Sequence, residues 1–328
     1  MTANVTRRIP ITDLHDAATR IYEAAVRTPL IRIELDAGSP LPEIFLKLET
    51  LQPIGSFKIR GAYNLVRQLP PGEVAAGVWT VSAGNAAQGV AFAARKLGIP
   101  CSVMVMDTAP AAKIRAIERL GASIVRATYD ECWQTVIDHR SSRMTGHMVH
   151  PFDDDRFIAG NGTIGLEILE DLPDVDAIVA PLGGGGLLSG IAAAVAAIRP
   201  ETKVFAAEPE TAAPLSASFA AKAPVYFDAW KASFVDGAGG KSVLDTMWPL
   251  LSTLAGSLVV TLDDAARALR FLAERARVVG EGAAACAVAA ALSGRAGTGK
   301  VVAVVSGGNI DLSTFCSLTA SSPGSESR

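Results

Sequence analysis

Short apolar runs alternate with longer alanine-rich segments along the chain. Between residues 77 and 151 this pattern repeats three times, and each run of four to six apolar residues precedes a segment of helical length. The predicted strands cover 78–81, 101–106 and 122–125, and the predicted helices cover 86–97, 110–120 and 131–140. Strands that alternate with helices are typical of a parallel sheet wrapped by helices, so we predict a small α/β domain at 77–151.

The same pattern resumes on both sides of this region. The predicted strands are 44–49, 176–181, 203–208 and 300–305, with helices at 187–198 and 261–279. Residues 209–258 show little periodicity, so we predict an irregular cap there. We assign 1–76 and 152–318 to a larger cofactor-binding domain in two parts, and 319–328 to a polar tail. The predicted fold class is α/β, with two lobes of open parallel sheet wrapped by helices.

Composition narrows the function. The 328 residues are 49% hydrophobic and carry a net charge of −3, which favours neither nucleic acid nor an anionic membrane as partner. The apolar runs are too short to span a bilayer, and residues 1–8 do not resemble a signal peptide. The four cysteines are widely scattered, which is typical of a cytoplasmic protein.

Four consecutive glycines, Gly183, Gly184, Gly185 and Gly186, lie between a predicted strand and a predicted helix. Free N–H groups at such a helix start bind phosphate, and we favour that interpretation over a flexible loop. The segment lacks the Lys-Ser/Thr of a P-loop, and Leu188 stands where a dinucleotide motif has its third glycine. The prediction is therefore a phosphate site that is not a nucleotide fingerprint.

Two further loops follow strands. Ser82, Ala83, Gly84, Asn85 and Ala86 open a helix, where N–H groups can receive a carboxylate; an ordinary helix cap is an equally good interpretation. Ser306 ends the last strand, at the edge of the sheet where open α/β folds bind ligands, although a turn explains it as well.

Lys58 begins a predicted helix, with Gly55 and Gly61 on either side. An apolar setting favours a neutral, nucleophilic amine, whereas a solvent-exposed lysine is the alternative. His150 and the aspartates at 153–155 are more simply a solvated acidic turn than a metal site, and we predict no metal site.

Together these segments resemble the pyridoxal-phosphate enzymes of the threonine/serine dehydratase and serine racemase family, of fold type II (tryptophan-synthase-β-like). The segments that carry the resemblance are 56–62, 82–85, 183–187, 208–209 and 306–309, in the family's order. The resemblance implies that Lys58 forms a Schiff base with pyridoxal 5′-phosphate and acts as the catalytic base. It also implies that Phe57 and Asn85 contact the cofactor, that Ser306 faces the ring nitrogen, that Gly183–Gly186 and Leu187 hold the phosphate, and that Ser82–Ala86 bind the substrate carboxylate.

Three positions depart from the family pattern. Ala83 stands where racemases have a second, serine base, so the resemblance implies elimination rather than racemisation. Ala86 replaces a histidine, which suggests room for a larger β-substituent, as in an aryl serine or a hydroxyaspartate. The third metal carboxylate expected soon after Glu208 is missing, which puts divalent-metal activation in doubt.

The sequence therefore predicts a dehydratase (ammonia-lyase) that converts a β-hydroxy amino acid to a 2-oxo acid and ammonia. A racemase, a β-replacement enzyme and a non-catalytic binding protein of the same fold are the alternatives. The resemblance implies a homodimer, and the short segment after the last strand suggests a catabolic enzyme without a regulatory domain.

Overall fold

The computed structural model describes residues 7–36 and 38–320. It has ten strands, here β1 to β10, in two sheets within those ranges. They are Leu30–Arg32, Glu43–Leu48, Val78–Val81, Cys101–Met106, Ser123–Ala127, His147–Met148, Ala177–Pro181, Lys203–Pro209, Gly256–Val260 and Lys300–Val305. The α-helices α1 to α13 are Ile11–Ile21, Lys58–Arg67, Pro71–Val74, Asn85–Leu97, Ala111–Glu118, Tyr129–Asp138, Asp155–Asp171, Gly186–Ile198, Pro214–Ala221, Trp248–Leu251, Leu262–Phe271, Gly282–Leu292 and Leu312–Thr319.

The larger sheet has the order β1-β2-β10-β7-β8-β9, and the smaller has the order β5-β4-β3-β6. Every pairing is parallel except that of β1 with β2. All residues of β3 and β7 are buried, as expected for parallel strands covered by helices on both faces. The predicted α/β class with two open parallel sheets is thus confirmed, while the domain boundaries remain a prediction.

Several elements differ from the pattern-based prediction. The 17-residue helix α7 was not predicted, because its three glycines resemble loop residues. A Cβ at Gly160 would lie 2.5 Å from the carbonyl oxygen of Arg60, so this glycine allows α7 to contact α2 closely. The cap at 209–258 is less irregular than expected, since it includes α9 and α10 and the first residues of β9. The helix predicted at 261–279 begins with a capping box formed by Thr261 and Asp264, but α11 ends at Phe271 and a π-helical turn follows.

A buried network of charges holds α2, the helix that begins at Lys58. Arg60 is fully buried and forms ion pairs with Glu49, at 2.8 Å, and with Glu167 of α7, at 2.6 Å. Lys47 of β2 is also fully buried and lies 2.6 Å from the same Glu167. Because each buried charge has an opposite partner, the network fixes α2 between the larger sheet and α7.

Candidate active site

Lys58 begins α2 and extends its side chain towards the segment that precedes α7. Its Nζ donates a hydrogen bond to the carbonyl oxygen of Pro151, at 2.7 Å. The same nitrogen lies 5.3 Å from the ring centroids of both Phe57 and Phe157. Burial lowers the pKa of Lys58 to about 8, and the negative charge of Glu281 opposes this shift. The solvent-exposed alternative is therefore wrong, and a neutral amine is accessible near neutral pH.

The glycine segment leads from β7 into α8. Within the described part of the chain, the N–H groups of residues 183 to 187 have no hydrogen-bond acceptor. Packing and backbone conformation require glycine at two of these positions. A Cβ at Gly184 would lie 2.1 Å from the Phe152 ring, and Gly185 has a φ of +96°. Since Phe152 follows Pro151, this segment and Lys58 share one wall. Five free N–H groups at a helix start form a site for an anion.

The loop from Ser82 to Ala86 leads from β3 into α4, and Gly84 is the N-cap residue. The Ser82 hydroxyl accepts a hydrogen bond from the Gly84 N–H, at 3.1 Å, so neither Ser82 nor Asn85 caps the helix through its side chain. The alternative in which the side chain of Ser82 or Asn85 caps the helix is therefore wrong. Among the described residues, nothing accepts the N–H groups of Asn85 and Ala86, which are therefore available to an anion.

Ser306 lies at the end of β10, beside Phe57. Its carbonyl oxygen accepts the Phe57 N–H at 3.0 Å, and the residue is 1% exposed. No hydrogen bond of its hydroxyl is found within the described part of the chain. The nearby Ser56 hydroxyl is buried and also without a partner. Two unsatisfied hydroxyls next to the Lys58 helix indicate a polar ligand at this position.

The side chain of Asn85 contacts that of Asn309, in the segment 306–309 after β10. The Asn309 amide donates to the Asn85 Oδ1 at 2.7 Å and to the carbonyl oxygen of Ile54 at 2.8 Å. Asn85 in turn donates to the Glu281 Oε1, at 2.8 Å. Glu281 and Asn309 follow Asn85 by 196 and 224 residues, and together they orient the Asn85 amide in the site.

Sequence reasoning did not assign a role to Glu281. It is the N-cap residue of α12, it is 5% exposed, and burial raises its pKa to about 7. Asp236 raises the pKa of Glu281 further, and Asp236 forms an ion pair with Lys113 of α5. The only sequence signal was a carboxylate at the start of an alanine-rich helix, which is too common to identify such a residue.

Other carboxylates are engaged elsewhere. Glu208 accepts the N–H groups of Leu215 and Ser216, both at 2.8 Å, and so caps α9. The interpretation of residues 150–155 as a solvated turn is wrong for His150 and Asp153, which are 3% and 6% exposed. Asp153 forms an ion pair with Arg7, and Asp154 caps α7. Among the described residues, no three metal-ligating side chains lie close enough together to hold a metal ion. No helix in that part of the chain is long and apolar enough to cross a membrane.

The residues present fit pyridoxal phosphate. Its phosphate requires N–H donors, its aldehyde requires a neutral amine, and its ring nitrogen requires a hydroxyl or other polar group. Residues 183–187, Lys58 and Ser306 offer these three groups, and the unsatisfied hydroxyls and N–H groups are unexplained without a ligand.

Comparison with known proteins gives the same family. The family model for "Pyridoxal-phosphate dependent enzyme" matches residues 21–307. The L-threonine ammonia-lyase of Thermotoga maritima is 41% identical over 309 residues, which cover 93% of this chain and 76% of that protein. The catabolic L-threonine dehydratase TdcB of Escherichia coli K12 is 36% identical, with 95% of this chain and 96% of that protein covered.

A solved structure extends the comparison to the fold. Maize serine racemase superposes with a TM-score of 0.87 at 32% identity, covering 95% of this chain and 97% of the racemase. Fold, site and sequence agree, and the chain belongs to the family of pyridoxal-phosphate-dependent enzymes of fold type II.

Proposed function

We propose that this protein is a pyridoxal-phosphate-dependent ammonia-lyase that converts a β-hydroxy amino acid to a 2-oxo acid and ammonia. The observation that carries the proposal is Lys58, a lysine with a pKa of about 8 next to the free N–H groups of two loops. One loop suits a phosphate and the other a carboxylate. The relatives named as threonine ammonia-lyase and dehydratase support the same reaction.

Each polar group then has one role. The N–H groups of Gly183, Gly184, Gly185, Gly186 and Leu187 bind the cofactor phosphate, and Phe57 and Asn85 border the cofactor. Ser306 faces the ring nitrogen with a neutral hydroxyl, which does not enforce protonation of that nitrogen. Ser82, Ala83, Gly84, Asn85 and Ala86 form the loop that receives the substrate carboxylate. The bound cofactor supplies an electron sink that makes the Cα proton acidic.

Lys58 would hold the cofactor through its aldehyde, and its free amine would take the Cα proton of the substrate as general base. Its lowered pKa suits this role, because a base works best when its pKa lies near the working pH. The Cβ–O bond then breaks, and the hydroxyl leaves with one proton as water, which balances the proton taken from Cα. Hydrolysis of the elimination product then consumes one water, so the net products are one 2-oxo acid and one ammonia.

Ala83 favours elimination over racemisation. Its methyl side chain cannot carry a proton to the face of Cα opposite Lys58. The test is incubation of the holoenzyme with L-threonine and L-serine, with 2-oxo acid, ammonia and D-amino acid all measured. Equal amounts of 2-oxo acid and ammonia without D-amino acid are expected. Accumulation of D-amino acid without ammonia contradicts the proposal, and the Lys58→Ala variant is the blank.

We further propose that the enzyme is a cytoplasmic homodimer that acts in amino-acid catabolism. The four free cysteines support a reducing compartment. Light scattering coupled to size-exclusion chromatography measures the mass, and about twice 34.0 kDa is expected.

A further inference from the structure

A cavity of about 150 Å³ lies in the smaller sheet layer, between the carboxyl ends of β3 and β4 and one face of α6. Its apolar wall is formed by Met104, Met106, Tyr129, Cys132, Trp133 and Val136. Among the described residues, those that line it carry no formal charge. The cavity is separate from the cofactor groups described above, and neither cofactor binding nor the chemistry at Cα explains its shape.

The cavity adjoins the carboxylate loop. Ser82 and Ala83 belong to that loop and also line the cavity. Because Cβ lies two bonds from the carboxylate carbon of an amino acid, a carboxylate bound by the loop N–H groups would keep Cβ close to the loop that borders this space. The room predicted beside Ala86 is found here instead, since Ala86 is buried at the start of α4 and does not line the cavity.

The opposite wall is linked to Lys58. The carbonyl oxygen of Val136 lies 3.1 Å from the His150 Nε2, and the next residue, Pro151, accepts the hydrogen bond from Lys58. Burial lowers the pKa of His150 to about 4, so this imidazole is neutral at physiological pH. The cavity is therefore connected to both halves of the site, and its inner wall does not offer a cation.

An aromatic rim borders the cavity where it meets the larger domain. The Lys241 Nζ lies 4.5 Å from the ring centroids of both Tyr129 and Trp230. This ammonium is held between two rings at the edge, and Tyr129 is 43% exposed. The path to the cavity therefore runs past aromatic surfaces.

The size and polarity of the cavity determine which substrate side chain it can hold. An enclosed apolar cavity of about 150 Å³ binds benzene, and this cavity, which is open at one side, has a similar volume. A carboxylate placed among such walls would lose its hydration without a paired cation, at a large cost. A threonine methyl group would fill only a small part of the space.

We propose that this cavity is the side-chain subsite of the substrate and that it selects an aromatic β-substituent, so that the preferred substrate is a 3-arylserine. This inference rests on the proposed ammonia-lyase function and adds a substrate class to it. Of the larger substituents suggested by the sequence, the aryl group fits these walls and the hydroxyaspartate carboxylate does not.

The first experiment compares kcat/KM of the holoenzyme for 3-phenylserine, threonine and 3-hydroxyaspartate. Burial of even one methylene in an apolar pocket discriminates about 10- to 200-fold, so we expect at least about a tenfold preference for phenylserine over threonine. A higher kcat/KM for threonine or for hydroxyaspartate would overturn the inference while leaving the lyase function intact.

The second experiment does not depend on turnover. The dissociation constants of 3-phenylpropanoate and butanoate, carboxylates without an amine, are measured on the holoenzyme by calorimetry. We expect 3-phenylpropanoate to bind at least about tenfold more tightly. If no β-hydroxy amino acid is converted, the lyase proposal fails, but the ratio of the two dissociation constants still tests the proposed subsite. Equal affinities for the two carboxylates would overturn the subsite.

A variant that fills the cavity, compared with one that adds the same ring outside it, tests the proposed subsite. Val136→Phe should lower the phenylserine-to-threonine ratio of kcat/KM at least about tenfold and weaken 3-phenylpropanoate binding. Ile137→Phe adds the same ring to the exposed side of α6 and should leave the ratio unchanged. Cys132→Met is the alternative filling variant if Val136→Phe does not fold. An unchanged ratio in a folded filling variant contradicts the inference.

Discussion

The titration of Lys58 is the most direct quantitative consequence of the site. An ordinary lysine with a pKa of 10.5 is about 0.03% neutral at pH 7, whereas a pKa of about 8 gives about 10% neutral amine. The structure therefore implies a roughly 300-fold larger population of the reactive form. Burial beside Phe57 and Phe157 is the main cause, and Glu281 partly offsets it.

The perturbation that separates these causes is Glu281→Gln. Glutamine can still accept the Asn85 hydrogen bond, which is 2.8 Å long in the wild type, but it carries no charge. Loss of the negative charge should lower the pKa of Lys58 below about 8, because the attraction that stabilises its ammonium form is gone. Glu34→Gln, at an exposed position, changes the net charge equally and serves as the control.

The assay is the rate at which the cofactor-free protein captures pyridoxal phosphate, followed by absorbance between about pH 6 and 11. The wild type should show a midpoint near pH 8, Glu34→Gln the same midpoint, and Glu281→Gln a lower one. A wild-type midpoint near 10.5 would refute the burial argument. A rise in the midpoint of Glu281→Gln would refute the electrostatic role of Glu281.

Three further predictions concern stability and packing. The folded pKa of Glu281, about 7, exceeds its ordinary value of 4.5, so its contribution to stability is full below pH 4.5 and falls by about 3 kcal/mol as the pH rises to 7; urea unfolding of cofactor-free Glu281→Gln should lack this slope. Arg60→Met leaves the buried Glu49 without its cationic partner and Glu167 with Lys47 alone, and it should cost about 3–5 kcal/mol in the same measurement, whereas a loss below about 1 kcal/mol would contradict the network. Gly184→Ala places a methyl group against the Phe152 ring and should displace the free N–H groups, weakening cofactor binding in an equilibrium titration; unchanged affinity would show that the segment does not hold the phosphate.

The sequence was informative where local pattern determines structure. The apolar runs of β3, β4, β7, β8 and β10 are continuous because both faces of a parallel sheet are covered, so their positions could be predicted closely. The capping box at Thr261 and Asp264 is a local signal too, and it is present in the structure.

The sequence was less informative where contact with distant residues determines the structure. Helix α7 is buried on all sides, and its glycines are explained only by neighbours such as Arg60 and Gly190, which no local window includes. The same holds for the glycines at 184–186, because a Cβ at these positions would clash with Phe152 or Leu251. Glu281 could not be identified because its role depends on Asn85, almost 200 residues away.

The pairing of β2 with β10 has a consequence for how the protein is made. Residues 43–48 pair with residues 300–305, so the early strand β2, which already pairs with β1, receives its second neighbour only after residue 305 has been synthesised. Contacts of such sequence separation slow folding, because the long loop must close before they form. Lys58 follows the early strand and Ser306 follows the late one, so affinity for the cofactor should arise only after residue 306 has been synthesised and β10 has paired with β2.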